Sequence, residues 1–249
     1  MISFLSTYSY LVGSLYLVAL WIVLLFLSST ANRRESVAMG MLGIFANVAN
    51  SGIYQSDWWH PTRFMSVGTI FGPIGIEDFL FGASVFGIAS IIGDYLLNRK
   101  EKKPTERFWR SFLAIFLFSL VVFILFIFLL KAFSFHSFYA TTAAWLAAAA
   151  FLLWKRTGLF REMLSGGVLL VLAGIPFYAF PLLFHPTWIT DEWFLPKLSG
   201  VLIGGVPVEE FLWFFMIGSV VSVVWEWARS IRFVKGCFLL FWLFYSSLV

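Results

Sequence analysis

Eight apolar stretches, each near the length needed to cross hydrocarbon, divide this chain of 249 residues. They cover residues 8–27, 37–54, 73–97, 112–130, 138–154, 164–184, 202–228 and 233–248. A helix rising 1.5 Å per residue needs about 20 apolar residues to span the ~30 Å core of a bilayer. The chain is 61% hydrophobic and 12% charged, with a mean hydropathy of +0.90, which excludes an ordinary soluble domain. The expected fold is an all-α integral membrane protein of about eight transmembrane helices in two parallel repeats. The second stretch is the weakest, because it carries Asn47, Asn50 and Ser51, and the last is short.

The basic residues set the orientation. Of 17 Lys and Arg, 14 fall after the first, third, fifth and seventh stretches. The opposite side holds only Arg63, Lys131 and Lys197. Positive loops stay cytoplasmic, so both termini are expected outside the cytoplasm. The net charge of +4 is thereby a topology signal, and no nucleic-acid partner is expected. The first basic residue is Arg33, so a cleaved signal peptide is not expected. The single cysteine, Cys237, excludes an internal disulfide and reads as a buried hydrophobe.

Two acidic pairs interrupt these apolar runs: Glu77-Asp78, in Gly-Ile-Glu-Asp-Phe-Leu-Phe, and Glu209-Glu210, in Pro-Val-Glu-Glu-Phe-Leu-Trp. A charge at mid-bilayer costs roughly 2.5–3.5 kcal/mol on insertion scales, so paired acids there need a reason. An offset of 132 residues superposes them, together with Gly68 on Gly200, Gly72 on Gly204, Phe79 on Phe211 and Leu80 on Leu212. Asp94 then meets Glu226. Four helices per unit is an even number, so the repeat is parallel and both pairs lie near the same, external, membrane face. The division expected is a first repeat over 1–105, a linking transmembrane helix over 106–135, a second repeat over 136–230 and a final helix over 231–249.

Pro207 precedes Glu209 by two residues and Pro73 precedes Glu77 by four, placing the acids in first helical turns. Two adjacent carboxylates are costly to ionise together in hydrocarbon, so one of each pair is expected to be protonated, which suits a general acid. Helical spacing gives Glu77 the face of Leu80, Phe81 and Ser84, and Glu209 that of Leu212, Trp213 and Met216. Glu77 and Glu209 are therefore the expected proton donor and acceptor, in either order, with Asp78 and Glu210 tuning them. Phe79, Phe81, Phe211 and Trp213 are expected to line the pocket, where rings stabilise a cation. Asn47 and Asn50 serve either as interhelical glue or as pocket lining. A duller reading has the acids only capping helices.

The duplicated motif resembles that of the membrane-type lycopene cyclases, found as fused or two-subunit proteins in bacteria, archaea and fungi. Pro207 to Trp213 matches the family pattern of Pro-x-Glu-(Glu/Asp) followed by Phe-Leu-Phe-like residues, and Gly75 to Phe81 matches with Gly75 in place of proline. The resemblance spans roughly residues 1–230. It implies a carotenoid end-group cyclase: an acid-catalysed, non-redox isomerisation closing six-membered rings on a linear polyene. It implies a polyene substrate within membrane lipid, and a multi-pass protein of a prokaryotic cell membrane. No cofactor is expected, since there is no dinucleotide fingerprint and no metal-ligand pattern. A homo-oligomer is compatible with the sequence. The alternative is a proton-coupled transporter or lipid-handling permease using the same acids as a relay, which a water-filled path to them would favour.

Other residues read more plainly. Asp94 and Glu226 are expected to make interfacial ion pairs beside Arg99 and Arg229. His60-Pro61-Thr62 and His185-Pro186-Thr187 fall out of repeat register and read as external turns. Asp191-Glu192-Trp193 reads as a solvated loop with an interfacial anchor. Gly166-Gly167 and Gly204-Gly205 read as close helix packing.

Overall fold

A computed structural model describes residues 2–69, 72–96 and 108–229. The expected span over 233–248, Cys237 and most of the basic loop containing Arg99 lie outside these residues. A short α1 (Ile2–Thr7) leads into α2 (Ser9–Leu27), α3 (Thr30–Tyr54) and α4 (Ile76–Leu96). Then follow α5 (Phe108–Phe133), α6 (Ser137–Lys155), α7 (Phe160–Leu182), α8 (Trp188–Glu192), α9 (Val208–Val221) and α10 (Val224–Ala228). Seven segments are long and apolar enough to cross a membrane: Ser9–Leu27, Thr30–Tyr54, Ile76–Asp94, Phe108–Phe133, Ser137–Lys155, Thr157–Leu182 and Val208–Ala228. They correspond to the first seven expected stretches, and the fold is an all-α membrane bundle.

The helices α4 and α9, which carry the acidic pairs, are the most deeply buried spans. Small residues let their partners approach. A Cβ on Gly82 would collide with the Gly43 carbonyl, so α3 and α4 touch backbone to backbone. Gly166 and Gly167 on α7 pack in the same way against Gly218, Ser219 and Ser222. Trp21 of α2 fills the space over Gly40 and Gly87 and bonds Ser36, whose hydroxyl donates to the Gly87 carbonyl at 2.8 Å. Helix α5 lies at the edge, with Trp109, Leu113, Leu117, Val121 and Ile124 exposed.

A β-hairpin precedes each acidic helix, a feature the helix-based reading did not expect. Strands β1 (Ser66–Thr69) and β2 (Gly72–Gly75) pair antiparallel, as do β3 (Leu202–Ile203) and β4 (Val206–Pro207). Gly72, in β2, and Gly204, in the turn between β3 and β4, are matched by the repeat offset and both hold positive φ, at 115° and 59°, a backbone region that favours glycine. Gly204-Gly205 therefore forms a turn with open space around it, and not the close helix contact expected. Pro73 sits in β2 opposite Gly68, before the helix begins at Ile76, whereas Pro207 caps α9 directly.

Candidate functional site between the acidic pairs

The first acid of each pair turns back toward its own hairpin. One Glu77 oxygen accepts the Phe64 backbone N–H, and one Glu209 oxygen accepts the Ser199 N–H at 2.6 Å. The second oxygen of each has no hydrogen-bond partner among the described residues. The second acid of each pair points into the bundle. Their partners differ, and the difference breaks the repeat symmetry.

Asp78 is fully buried and ion-paired. Arg63 Nε lies 2.7 Å from its Oδ2, and both side chains are almost wholly shielded from solvent. The Gly75 N–H donates to Oδ2 at 2.7 Å. Ser51 donates to Oδ1 at 2.7 Å and the Tyr10 hydroxyl at 3.2 Å. Arg63 also reaches the Ser51 hydroxyl at 2.7 Å, and Asn47 donates to the Asp78 carbonyl at 2.7 Å. Three neutral donors and a permanent cation occupy both oxygens, as a buried carboxylate requires.

Glu210 meets aromatic donors instead. The indole N–H groups of Trp58 and Trp193 both donate to Oε1 at 2.7 Å, and the Tyr178 hydroxyl donates to Oε2 at 2.6 Å. The two tryptophans arrive on interhelical loops zipped together by backbone bonds. Phe194 N–H donates to the Trp58 carbonyl at 3.0 Å, and His60 N–H to the Glu192 carbonyl at 2.8 Å.

Glu192 fastens the same seam. It is buried, contrary to the solvated loop expected, and accepts the Thr62 N–H at 2.9 Å and the Trp188 indole at 2.7 Å. Burial pushes its carboxyl above the ordinary range, against the pull of these donors. Trp193, expected as an interfacial anchor, is buried with it. Asp191 is the solvated member. Thr187 and then His185 hold its carboxyl below the ordinary range through hydrogen bonds of 2.7 and 2.9 Å. His185 also meets the Ser9 hydroxyl at 3.0 Å, so the His185 turn is tied to α2.

Between the motifs lies a small aromatic cleft of about 20 Å³, whose walls include Glu210, Trp59, Phe81, Phe177, Tyr178 and Trp213. Phe81 and Trp213, equivalent under the repeat offset, stack there with centroids 5.5 Å apart and planes 24° apart. Asn47 lines this cleft, and Asn50 lines an adjoining one. Phe79 is exposed, and half-buried Phe211 packs on Tyr178; neither lines the cleft. Its volume is near that of one water molecule, and its walls are mostly rings.

At the opposite membrane side, Arg229 pairs with buried Glu35, and Arg156 donates to the Glu226 backbone carbonyl at 2.6 Å. Asp94 and Glu226 are themselves buried there.

Sequence reasoning missed six residues that hold the acids: Tyr10, Ser51, Trp58, Arg63, Tyr178 and Trp193. Arg63 carried a signal, being one of three basic residues on the side otherwise depleted of them. No group of three His, Cys, Asp or Glu side chains placed to hold a metal occurs among the described residues.

A multi-pass helical membrane protein with paired acids buried at equivalent positions of two structural halves is thus defined by the fold and site together. A family model for lycopene cyclase matches residues 5–96 and 136–228, one segment around each acidic pair. The chain belongs to the lycopene cyclase family, membrane enzymes that cyclise the carotenoid lycopene. No curated protein and no solved structure matches it.

Proposed function

We propose that the chain closes six-membered rings on the linear end groups of a long polyene by proton transfer alone, with Glu210 as the group that exchanges the proton. The observation that carries this is the position of Glu210 in the wall of the aromatic cleft that the stacked Phe81 and Trp213 also line. A carboxylic acid there protonates the terminal alkene of the end group. The electron pair of that alkene forms the new C–H bond and leaves a tertiary cation. An internal double bond attacks it, closing the ring and moving the positive charge into it. Loss of a ring proton to a carboxylate then sets the final double bond, so no net redox change or net proton consumption occurs.

The hydrogen bonds at Glu210 suit both halves of that cycle. Two indole N–H groups steady Oε1 in either state. The Tyr178 hydroxyl at Oε2 rotates to accept from the acid or donate to the carboxylate. Rings around the cleft stabilise a desolvated cation by ~2 kcal/mol or more. Asp78, saturated by Arg63, Ser51, Gly75 and Tyr10, is the fixed counter-charge. Glu77 and Glu209 tie the hairpins to the helices that follow. This reading exchanges the roles within each pair: Phe81 and Trp213 also lie three residues after Asp78 and Glu210, so helical spacing allows the second acid the same rings as the first. The end group enters when the Phe81 and Trp213 rings part, since the closed cleft holds about one water. The two structural halves act as repeats around a linking α5, with the acids near the external face of a prokaryotic cell membrane.

The test uses purified full chain in lipid vesicles with a linear polyene, in heavy water and without flavin, nicotinamide or metal. Each new ring should carry one solvent deuterium. Rings formed without solvent deuterium, or formed only with reduced flavin, would show a different route.

A further inference from the structure

The Glu210 cleft adjoins further apolar space. Its neighbour, also about 20 Å³, shares Asn47, Tyr54 and Trp213 with it. That second cleft in turn shares Asn50, Tyr54, Phe86 and Trp145 with a groove of about 310 Å³ between α3, α5, α6 and the end of α9. Tyr54 lines all three and is pinned by its hydroxyl to Thr141 at 3.1 Å. A volume of this size is at the lower end of ligand sites, and its walls are almost wholly apolar. The groove runs along the helices. Its wall extends from Met39 to Tyr54 on α3, about 22 Å at the helical rise. It therefore follows most of the hydrocarbon depth, from the level of the acids toward the opposite face.

We propose that this groove holds the unreacted arm of the polyene, with Tyr54 at the bend between arm and reacting end. The proposal rests on the proton-transfer reading of Glu210 and specifies how the substrate of that site is seated. A rigid conjugated rod offers no polar group, so it needs a long apolar channel continuous with the reacting centre. Of the four acids, Glu210 alone lines a cleft of this series. Asp78 is closed off by its ion pair, so the duplicated motif makes one reacting centre and one support. The enzyme therefore cyclises one end group per binding event. A symmetric polyene must leave, reverse and bind again for its second ring, and the singly cyclised product appears first.

Two variants narrow the groove at positions that line neither small cleft: Ala49→Phe on α3 and Ser119→Phe on α5. Vesicles containing the full chain are supplied with either a full-length linear polyene or a short acyclic isoprenoid that carries the same end group. Each variant should lower kcat/KM for the long substrate by roughly tenfold or more, and leave the short one within about twofold. With the wild-type chain, singly cyclised polyene should accumulate before any doubly cyclised product. Unchanged turnover of the long substrate, an equal loss for both substrates, or doubly cyclised product with no lag would each overturn the proposal. Failure of the wild-type chain to cyclise either substrate would instead overturn the proton-transfer reading beneath it.

Discussion

Replacing Arg63 by leucine removes the only permanent charge in contact with Asp78 among the described residues, and its consequence is calculable from the geometry. The Asp78 carboxylate is fully buried, and the guanidinium approaches it at 2.7 Å from a side chain that is only 5% exposed. Breaking such a pair by deleting one partner costs ~3–5 kcal/mol, because the remaining charge has no water to turn to. The Ser51 hydroxyl also loses its guanidinium neighbour, at 2.7 Å. The paired variant Arg63→Leu with Asp78→Asn should recover much of this loss, since asparagine is uncharged and keeps an oxygen for Ser51 and Tyr10. A coupling of ~2–3 kcal/mol, at the upper end for contacting residues, is expected between the two changes. The assay is reversible unfolding in mixed detergent micelles, followed by tryptophan fluorescence, on the two single variants and the double. A loss below about 0.5 kcal/mol in Arg63→Leu would refute the argument, as would simple additivity, because either result would mean that water reaches Asp78.

Trp58→Phe and Trp193→Phe each remove one indole donor from Glu210 while keeping ring volume. Each should cost ~1.5–3 kcal/mol of support to the carboxyl, read as a roughly ten- to hundredfold lower kcat for ring closure at near-native stability; unchanged kcat in both would separate these tryptophans from the site. At Glu192 the raised carboxyl means that the folded state binds the proton more tightly than the unfolded one. Its contribution is thus greatest at low pH and is lost as pH rises through the raised folded value. Wild type should gain thermal stability relative to Glu192→Gln as pH falls from neutral toward the carboxylate range, and a difference independent of pH would contradict the buried placement.

What the sequence made legible follows from what hydrocarbon forbids. Spans need length and lack charge, so seven segments were readable, although the second begins earlier than expected, at Thr30, and the seventh later, at Val208. The acidic pairs stood out for the same reason, and their common offset revealed the repeat. The hairpins did not show, because their strands are two to four residues long and embedded in apolar runs. Gly204-Gly205 looked like helix packing for lack of any cue to backbone sign. The partners of the second acids were invisible for a different reason. Trp58 and Glu210 are separated by 152 residues, and the zipped interhelical loops bring them together. Glu192 was misread because acids in loops are ordinarily solvated. Its burial depends on Thr62 of the other loop and on Trp188.

The central claim concerns one carboxyl, and Glu210→Gln tests it most directly. Glutamine keeps the volume and an oxygen for the two indoles but cannot exchange a proton with the alkene. Turnover of a linear polyene to cyclic product should be measured for Glu210→Gln beside Glu209→Gln, with insertion and folding of both checked first. The account predicts a loss of ~10²–10⁴-fold at Glu210, the span ordinarily lost with a general acid–base group, and a much smaller loss at Glu209. Near wild-type turnover in Glu210→Gln, with cyclisation abolished in Glu209→Gln, would contradict it and return the proton transfer to the first acid of the pair.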